Sequence, residues 1–308
     1  MNERVVRFGP GEGLVGILTE PGTGSAADLP AVLLLNAGAV HRAGPCRLYV
    51  TISRRLADAG FAALRFDFSG VGDSMPRPDT LSFEHSSRSE IRAAIDHLAR
   101  HRSLRRFVLL GLCAGADAAF FGALEDERIV GTVQLDPFAY RTPLFYWHHY
   151  APRVGSLAVW RRSLGNLRAR IRFLLGVPDA AAEPDSPVSI YVRKFPPRGD
   201  VAAGLAHLSA RGVRQLCLFT GGVQQYYNYA AQYRHCFRDV DFAGNLDEHC
   251  LFESDHIITR LDHQQQVVDV IVEWMARFGT LDRSAQPRRA SSLAGLGGSV
   301  MHTSPKAR

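Results

Sequence analysis

The chain has 308 residues, 46% of them hydrophobic, and a formal charge of +6 at pH 7. That is length enough for one sizeable core with an insertion, while no apolar stretch approaches the roughly 18 residues of a membrane-spanning helix. The charge is not gathered into a nucleic-acid-binding motif, and the five cysteines, odd in number and without C-x-x-C spacing, argue against a disulfide framework or a structural zinc site.

Residues 5–19 read as two short strands around the turn Gly9-Pro10-Gly11. The apolar run 31–35 suits a strand buried on both faces. A loop follows over 36–45. The spacing of Leu48, Ile52 and Leu56 then predicts a helix over 47–59, stopped by Gly60. A strand over 62–68 precedes the turn-rich Ser69-Gly70-Val71-Gly72-Asp73. A helix over 90–100 turns Ile91, Ile95 and Leu98 inward. Next come a strand at 107–112, a small-residue helix at 114–124 and a strand at 129–135. Strand and helix alternating at this rhythm predict a mostly parallel sheet covered by helices on both faces.

The rhythm breaks over 140–205, which is rich in aromatics, arginine and proline and reads as an inserted helical cap. A helix is expected over 154–175 and a loop over 178–187. Arg161, Arg162, Arg168, Arg170 and Arg172 form the densest basic run, either a solvated helix face or an attraction for an anionic substrate or carrier. The core resumes with a helix at 201–210, a strand at 215–220, a short strand at 240–243 and a closing helix at 264–278. The expected division is a first core part over 1–139, a cap over 140–205 and a second core part over 206–280. Residues 281–308, poor in large apolar groups, are expected to be a disordered tail. Met1 to Pro10 has no apolar run of the secretory type. With its free thiols the chain is expected in the cytoplasm.

The chemistry centres on Gly111-Leu112-Cys113-Ala114-Gly115, set between a predicted strand and a predicted helix. It has the form G-x-nucleophile-x-G, with cysteine where serine is usual. Glycine flanks leave room for the tight turn that lifts a nucleophile above the sheet edge. The turn also aims the Ala114 N–H and the helix dipole at the reacting centre. His256 lies between the last expected strand and the closing helix, placed to serve as general base. His249 sits earlier, and His263 begins the helix.

The acid that orients the histidine usually stands just after the penultimate strand. Here that stretch is Gly221-Gly222-Val223-Gln224-Gln225-Tyr226-Tyr227-Asn228, with no carboxylate. Asp136, at the end of the strand after the elbow, is the other workable place. Gln224 or Asn228 would orient the imidazole without charge, which a thiol tolerates better than a hydroxyl. A second oxyanion donor is expected from the loop Asn36-Ala37-Gly38-Ala39-Val40, at Ala39. His41, Tyr146 and Trp147 are candidate substrate-binding residues. Asp67-Phe68-Ser69-Gly70-Val71-Gly72-Asp73-Ser74 lacks the third glycine and the Lys-Ser/Thr of phosphate-binding loops, and reads as a turn that locks a strand end.

At three places the chain resembles a known family: Asn36-Ala37-Gly38-Ala39-Val40-His41-Arg42, then Arg65 to Ser74, then Gly111-Leu112-Cys113-Ala114-Gly115-Ala116. These stretches look like the α/β-hydrolase superfamily, and more narrowly like the hydrolases associated with the exosortase A system and their serine-aminopeptidase-like relatives. The resemblance covers about residues 5–280, and covers the cap only weakly. It implies an α/β-hydrolase fold and acyl transfer to water or another acceptor, with no metal or organic cofactor. Cys113 falls at the family nucleophile and His256 at its histidine. Cysteine for serine points toward thioesters, lactones or acyl transfer. The expected partner is a small acyl substrate, free or linked to a carrier or coenzyme A. An acyltransferase or cyclase using the same dyad, and a non-catalytic binding protein, are the rival expectations.

Overall fold

A computed structural model of the chain describes residues 1–22, 29–102, 104–154 and 193–285. The strands are β1 (Asn2–Phe8), β2 (Leu14–Glu20), β3 (Ala31–Leu35), β4 (Ala63–Phe66), β5 (Phe107–Leu112), β6 (Ile129–Leu135), β7 (Arg214–Thr220) and β8 (Leu246–Leu251). They form one sheet in the order β1-β2-β4-β3-β5-β6-β7-β8. β2 pairs antiparallel with β1 and β4, and every other neighbour pair is parallel. The helices are α1 (Leu48–Asp58), α2 (Phe83–Arg102), α3 (Ala114–Glu125), α4 (Pro143–Val154), α5 (Arg198–Ala210), α6 (Gln232–Cys236) and α7 (Leu261–Ala285).

The central strands are apolar without interruption because both faces are covered. Along β5, Phe107 and Leu109 enter one core, shared with Ile91, Ile95 and Leu98 of α2. Val108, Leu110 and Leu112 enter the other, shared with Ile52 and Leu56 of α1 and with Val267, Ile271 and Trp274 of α7. This is the two-residue period of a strand buried on both sides. Each such leucine, taken fully from water, contributes roughly 2 kcal/mol.

Parallel register puts several strand ends at one edge. Leu35 pairs with Gly111, Leu112 with Leu135, and Leu135 with Leu218. The residues immediately beyond β5 and β6, Cys113 and Asp136, are thereby set side by side. In open α/β sheets the carboxyl ends of parallel strands are where sites are built.

Four boundaries differ from expectation. The short strand expected at 240–243 is not formed, and β8 lies at Leu246–Leu251 instead. Its Asp247, Glu248 and His249 break the apolar pattern, as an edge strand with one neighbour permits. α2 begins at Phe83 and α5 at Arg198, both earlier than their apolar spacing indicated. α7 runs on to Ala285, so the first residues of the expected tail are helical. The aromatic stretch Tyr146 to Tyr150 is helical, within α4. The expected loop at 178–187, the basic run, the rest of the helix expected over 154–175 and residues 286–308 lie outside the described residues. Among the described residues no helix is long and apolar enough to cross a membrane.

Candidate active site

The elbow is built by close backbone approach. Cys113 is held at φ 55°, ψ −115°, a conformation that costs roughly 1–3 kcal/mol in a non-glycine residue. Its N–H donates to Leu135 O (2.9 Å), extending the β5–β6 ladder by one residue, and Asp117 N donates back to Cys113 O (3.1 Å), opening α3. A Cβ on Gly111 would lie 2.1 Å from Gly115 C, and one on Gly115 would lie 2.7 Å from Leu35 O and 2.8 Å from Asn36 O. Only glycine fits either place. α3 therefore starts hard against the end of β3. Ala114, its first residue, has a backbone N–H with no acceptor inside the helix. The buried Tyr49 braces the elbow from below, its hydroxyl accepting from Leu112 N (3.0 Å).

The loop after β3 is locked by a buried carboxylate. Asp67, fully buried, accepts from Asn36 Nδ2 (3.1 Å) and Arg42 N (2.5 Å), and it pairs with the Arg42 guanidinium, which also reaches Asp73. Asn36 Oδ1 accepts from Phe68 N (2.7 Å), and Ser74 Oγ donates to Asp67 O (2.6 Å). The Asn36–Arg42 and Asp67–Ser74 stretches are thus two halves of one hydrogen-bonded lock. Ala37 packs in the same apolar cluster as Cys113, and Ala39 is exposed on the turn closed by Val40 N to Ala37 O (3.2 Å).

On the other side stands His256, the candidate base. His256 Nδ1 is 2.6 Å from Asp136 Oδ2, and the imidazole lies within electrostatic reach of the Cys113 side chain. Asp136 is fully buried, and Thr220 N (2.7 Å) and Thr220 Oγ1 (2.8 Å) donate to its two oxygens. The Asp136 carboxylate, and then the contact with Cys113, raise the His256 pKa from its ordinary 6.5 to about 10. The structure therefore sets the His256–Asp136 pair within electrostatic reach of Cys113, with the carboxylate supplied from the end of β6.

The stretch after β7 opens on two glycines for a steric reason. A Cβ on Gly222 would lie 2.5 Å from His256 N, and one on Gly221 would lie 2.1 Å from Phe252 O. The two glycines let the histidine loop lie directly on the end of β7, where Gly221 N donates to Ser254 O (2.8 Å). Asp255 closes that loop, accepting from Ile257 N (3.0 Å) and Thr259 N (3.1 Å). The alternative orienters are engaged elsewhere or exposed: Asn228 Nδ2 donates to Phe145 O (3.1 Å), and Gln224 is exposed.

The candidate substrate-binding residues are not gathered in. His41 is exposed, its Nδ1 accepting from Ala43 N (3.3 Å), and Tyr146 and Trp147 are exposed on α4. Among the described residues none of the three is bonded to Cys113, His256 or Asp136. What lies near the nucleophile instead is a group that spacing did not indicate. Asp117, in the first turn of α3, receives a forked ion pair from Arg193 (2.7 and 2.5 Å), and Arg193 Nη1 donates to Tyr226 OH (3.2 Å). These residues come from three elements far apart in sequence, so no motif joins them. The one signal was Tyr226 itself, in the stretch where an acid was sought.

Comparison with known proteins gives the following. No family model matches the chain. It is 33% identical to the uncharacterized protein YcjY of Escherichia coli (strain K12) over 87 residues, spanning 27% of this chain and 28% of that protein. Among solved structures it is similar to a proline iminopeptidase from Mycobacterium smegmatis, at 16% identity and a TM-score of 0.52, covering 91% of this chain and 100% of that one. It is similar to the α/β hydrolase GrgF from Penicillium sp. sh18, at 14% identity and a TM-score of 0.57, over 90% of this chain and 99% of that one. It is also similar to an esterase from Pyrococcus furiosus, at 14% identity and a TM-score of 0.56, over 90% and 91% of the two chains. At these identities the likeness is one of architecture, and with the strand order above it establishes that the chain has the α/β-hydrolase fold.

Proposed function

We propose that the protein is an acyl hydrolase that cleaves an ester or thioester through an acyl-cysteine intermediate. The observation that carries this is the Cys113–His256–Asp136 chain at the carboxyl ends of β5 and β6. In the first step Cys113 Sγ attacks the substrate carbonyl. The thiol proton is held on His256, whose raised pKa keeps the imidazole charged, and passes from there to the leaving group, so that a thioester to Cys113 remains. Water, giving its proton to His256, then releases the acid. Asp136 holds the imidazole in the tautomer that presents Nε2 and stabilises its cation. The Ala114 N–H and an N–H from the loop at Ala39 receive the charge that develops on the carbonyl oxygen. Each such donor is worth roughly 3 kcal/mol in the transition state.

The same intermediate serves an acyltransferase or cyclase, in which an alcohol or amine replaces water. Product analysis with and without an acceptor separates the two outcomes. The assignment of Cys113 is tested by Cys113→Ala, assayed against phenyl thioesters and p-nitrophenyl esters of short acids. Turnover is expected to vanish, and turnover at the rate of the unmodified chain would refute the role given to the thiol.

A further inference from the structure

Tyr226 lies in the turn after β7, with its backbone fixed on both sides. Its N–H donates to Val223 O (3.0 Å), and its carbonyl accepts from Gln232 Nε2 (2.6 Å). Its ring meets Phe195 edge to face, with centroids 5.0 Å apart. Its hydroxyl oxygen accepts from Arg193 Nη1 (3.2 Å), so the hydroxyl hydrogen must be directed elsewhere. Among the described residues that hydrogen has no acceptor.

Arg193 is itself fixed. Its fork closes on both oxygens of Asp117, and its guanidinium lies over the rings of Phe138 (5.1 Å) and Phe195 (4.9 Å). Asp117 sits one helical turn beyond Cys113 and is tied to it through the backbone. A cavity of about 230 Å³ opens beside this group, lined by Ala114, Asp117, Phe138 and Phe195 among others. The cavity reaches the first residue of α3, next to Cys113 in the chain. Tyr226 lies within electrostatic reach of Cys113 and Asp136, and Arg193 within that of Cys113.

We propose that the Tyr226 hydroxyl donates a hydrogen bond to the substrate's reacting carbonyl oxygen beside Cys113, aimed there by the Asp117–Arg193 pair. This rests on the acyl-cysteine chemistry proposed above and adds a donor to it. Tyr226 is then a catalytic residue, and Arg193 and Asp117 are positioning residues that act through it. Burial holds the phenol above its ordinary pKa, so the hydroxyl keeps its proton at every working pH and acts as a donor rather than an acid. The bidentate pair fixes the direction in which Arg193 Nη1 points, which a single point charge would not.

The test compares two reactions of the same sulfur. Acylation by phenyl thioacetate passes through an oxyanion, and alkylation by iodoacetamide does not. Both rates are read by intact mass in Tyr226→Phe, in Arg193→Met and in the double variant. Tyr226→Phe is expected to slow acylation roughly 100-fold and to leave alkylation unchanged. Arg193→Met is expected to lower the same ratio, with no further loss when the two are combined. Acylation of Tyr226→Phe at the parent rate overturns the proposal while leaving the acyl-cysteine standing. An equal fall in both reactions overturns it too, since it marks a structural effect. No acylation of the parent chain removes both the proposal and the chemistry beneath it.

Discussion

Two buried aspartates of this chain invite comparison. Asp67 and Asp136 are each fully buried beyond the end of a parallel strand, and each accepts several hydrogen bonds. Asp67 is closed off by Arg42, Asn36 and its own turn, and every partner is a permanent donor. Asp136 shares one oxygen between Thr220 Oγ1 and a partly exposed imidazole that titrates and lies within electrostatic reach of a thiol. Burial and a full hydrogen-bond complement therefore do not mark a catalytic carboxylate. What sets the proposed catalytic carboxylate apart is a partner that can gain and lose a proton.

Substitutions should separate the two. Asp136→Asn removes the largest cause of the raised His256 pKa, so the imidazole should titrate well below about 10, read from its ring protons by NMR. Acyl transfer at pH 7 should fall roughly 100-fold. Asp67→Ala leaves Arg42 without its buried partner and should cost roughly 3 kcal/mol in denaturant unfolding, with the His256 titration unmoved. If both variants shifted the histidine alike, the division between lock and site would be lost.

The pH dependence of stability carries the same sign. In the folded chain His256 binds its proton more tightly than in the unfolded one. Its stabilising contribution is thus complete below about pH 6.5 and fades as pH rises toward about 10. Unfolding midpoints taken across that window should fall with pH in the parent chain, and less steeply in Asp136→Asn. The smallest effect is expected from Gly222→Ala. Its new methyl must push the His256 backbone away, which should reduce acyl transfer by about tenfold at a cost of roughly 1–3 kcal/mol in stability. An unchanged rate would show that the histidine loop has room that the contact denies.

The elbow was legible because its chemistry is local. Gly111, Cys113 and Gly115 sit within five residues between an apolar strand and a small-residue helix, and close packing forces glycine at both flanks. The histidine was legible by its place before the closing helix. The proposed acid was only half legible: Asp136 competed with Gln224 and Asn228, and what favours it is its bond to His256 and the β6–β7 register that brings Thr220 alongside. β8 was misplaced because Asp247, Glu248 and His249 give it no apolar alternation. Asp117 and Arg193 were not legible, and Tyr226 was only as a member of the stretch after β7, since 76 and 33 residues separate the bonded partners. The resemblance motifs at Asn36–Arg42 and Asp67–Ser74 are joined by bonds across the sheet edge, which explains why those residues occur together.

The most direct measurement is intact-mass spectrometry of the protein mixed with short acyl thioesters, followed by peptide mapping, with His256→Ala run beside it. The account predicts one acyl group per chain, mapped to Cys113 and absent from the histidine variant. Acylation at another residue, or a Cys113 that stays unmodified while Cys46 and Cys250 react, would contradict it.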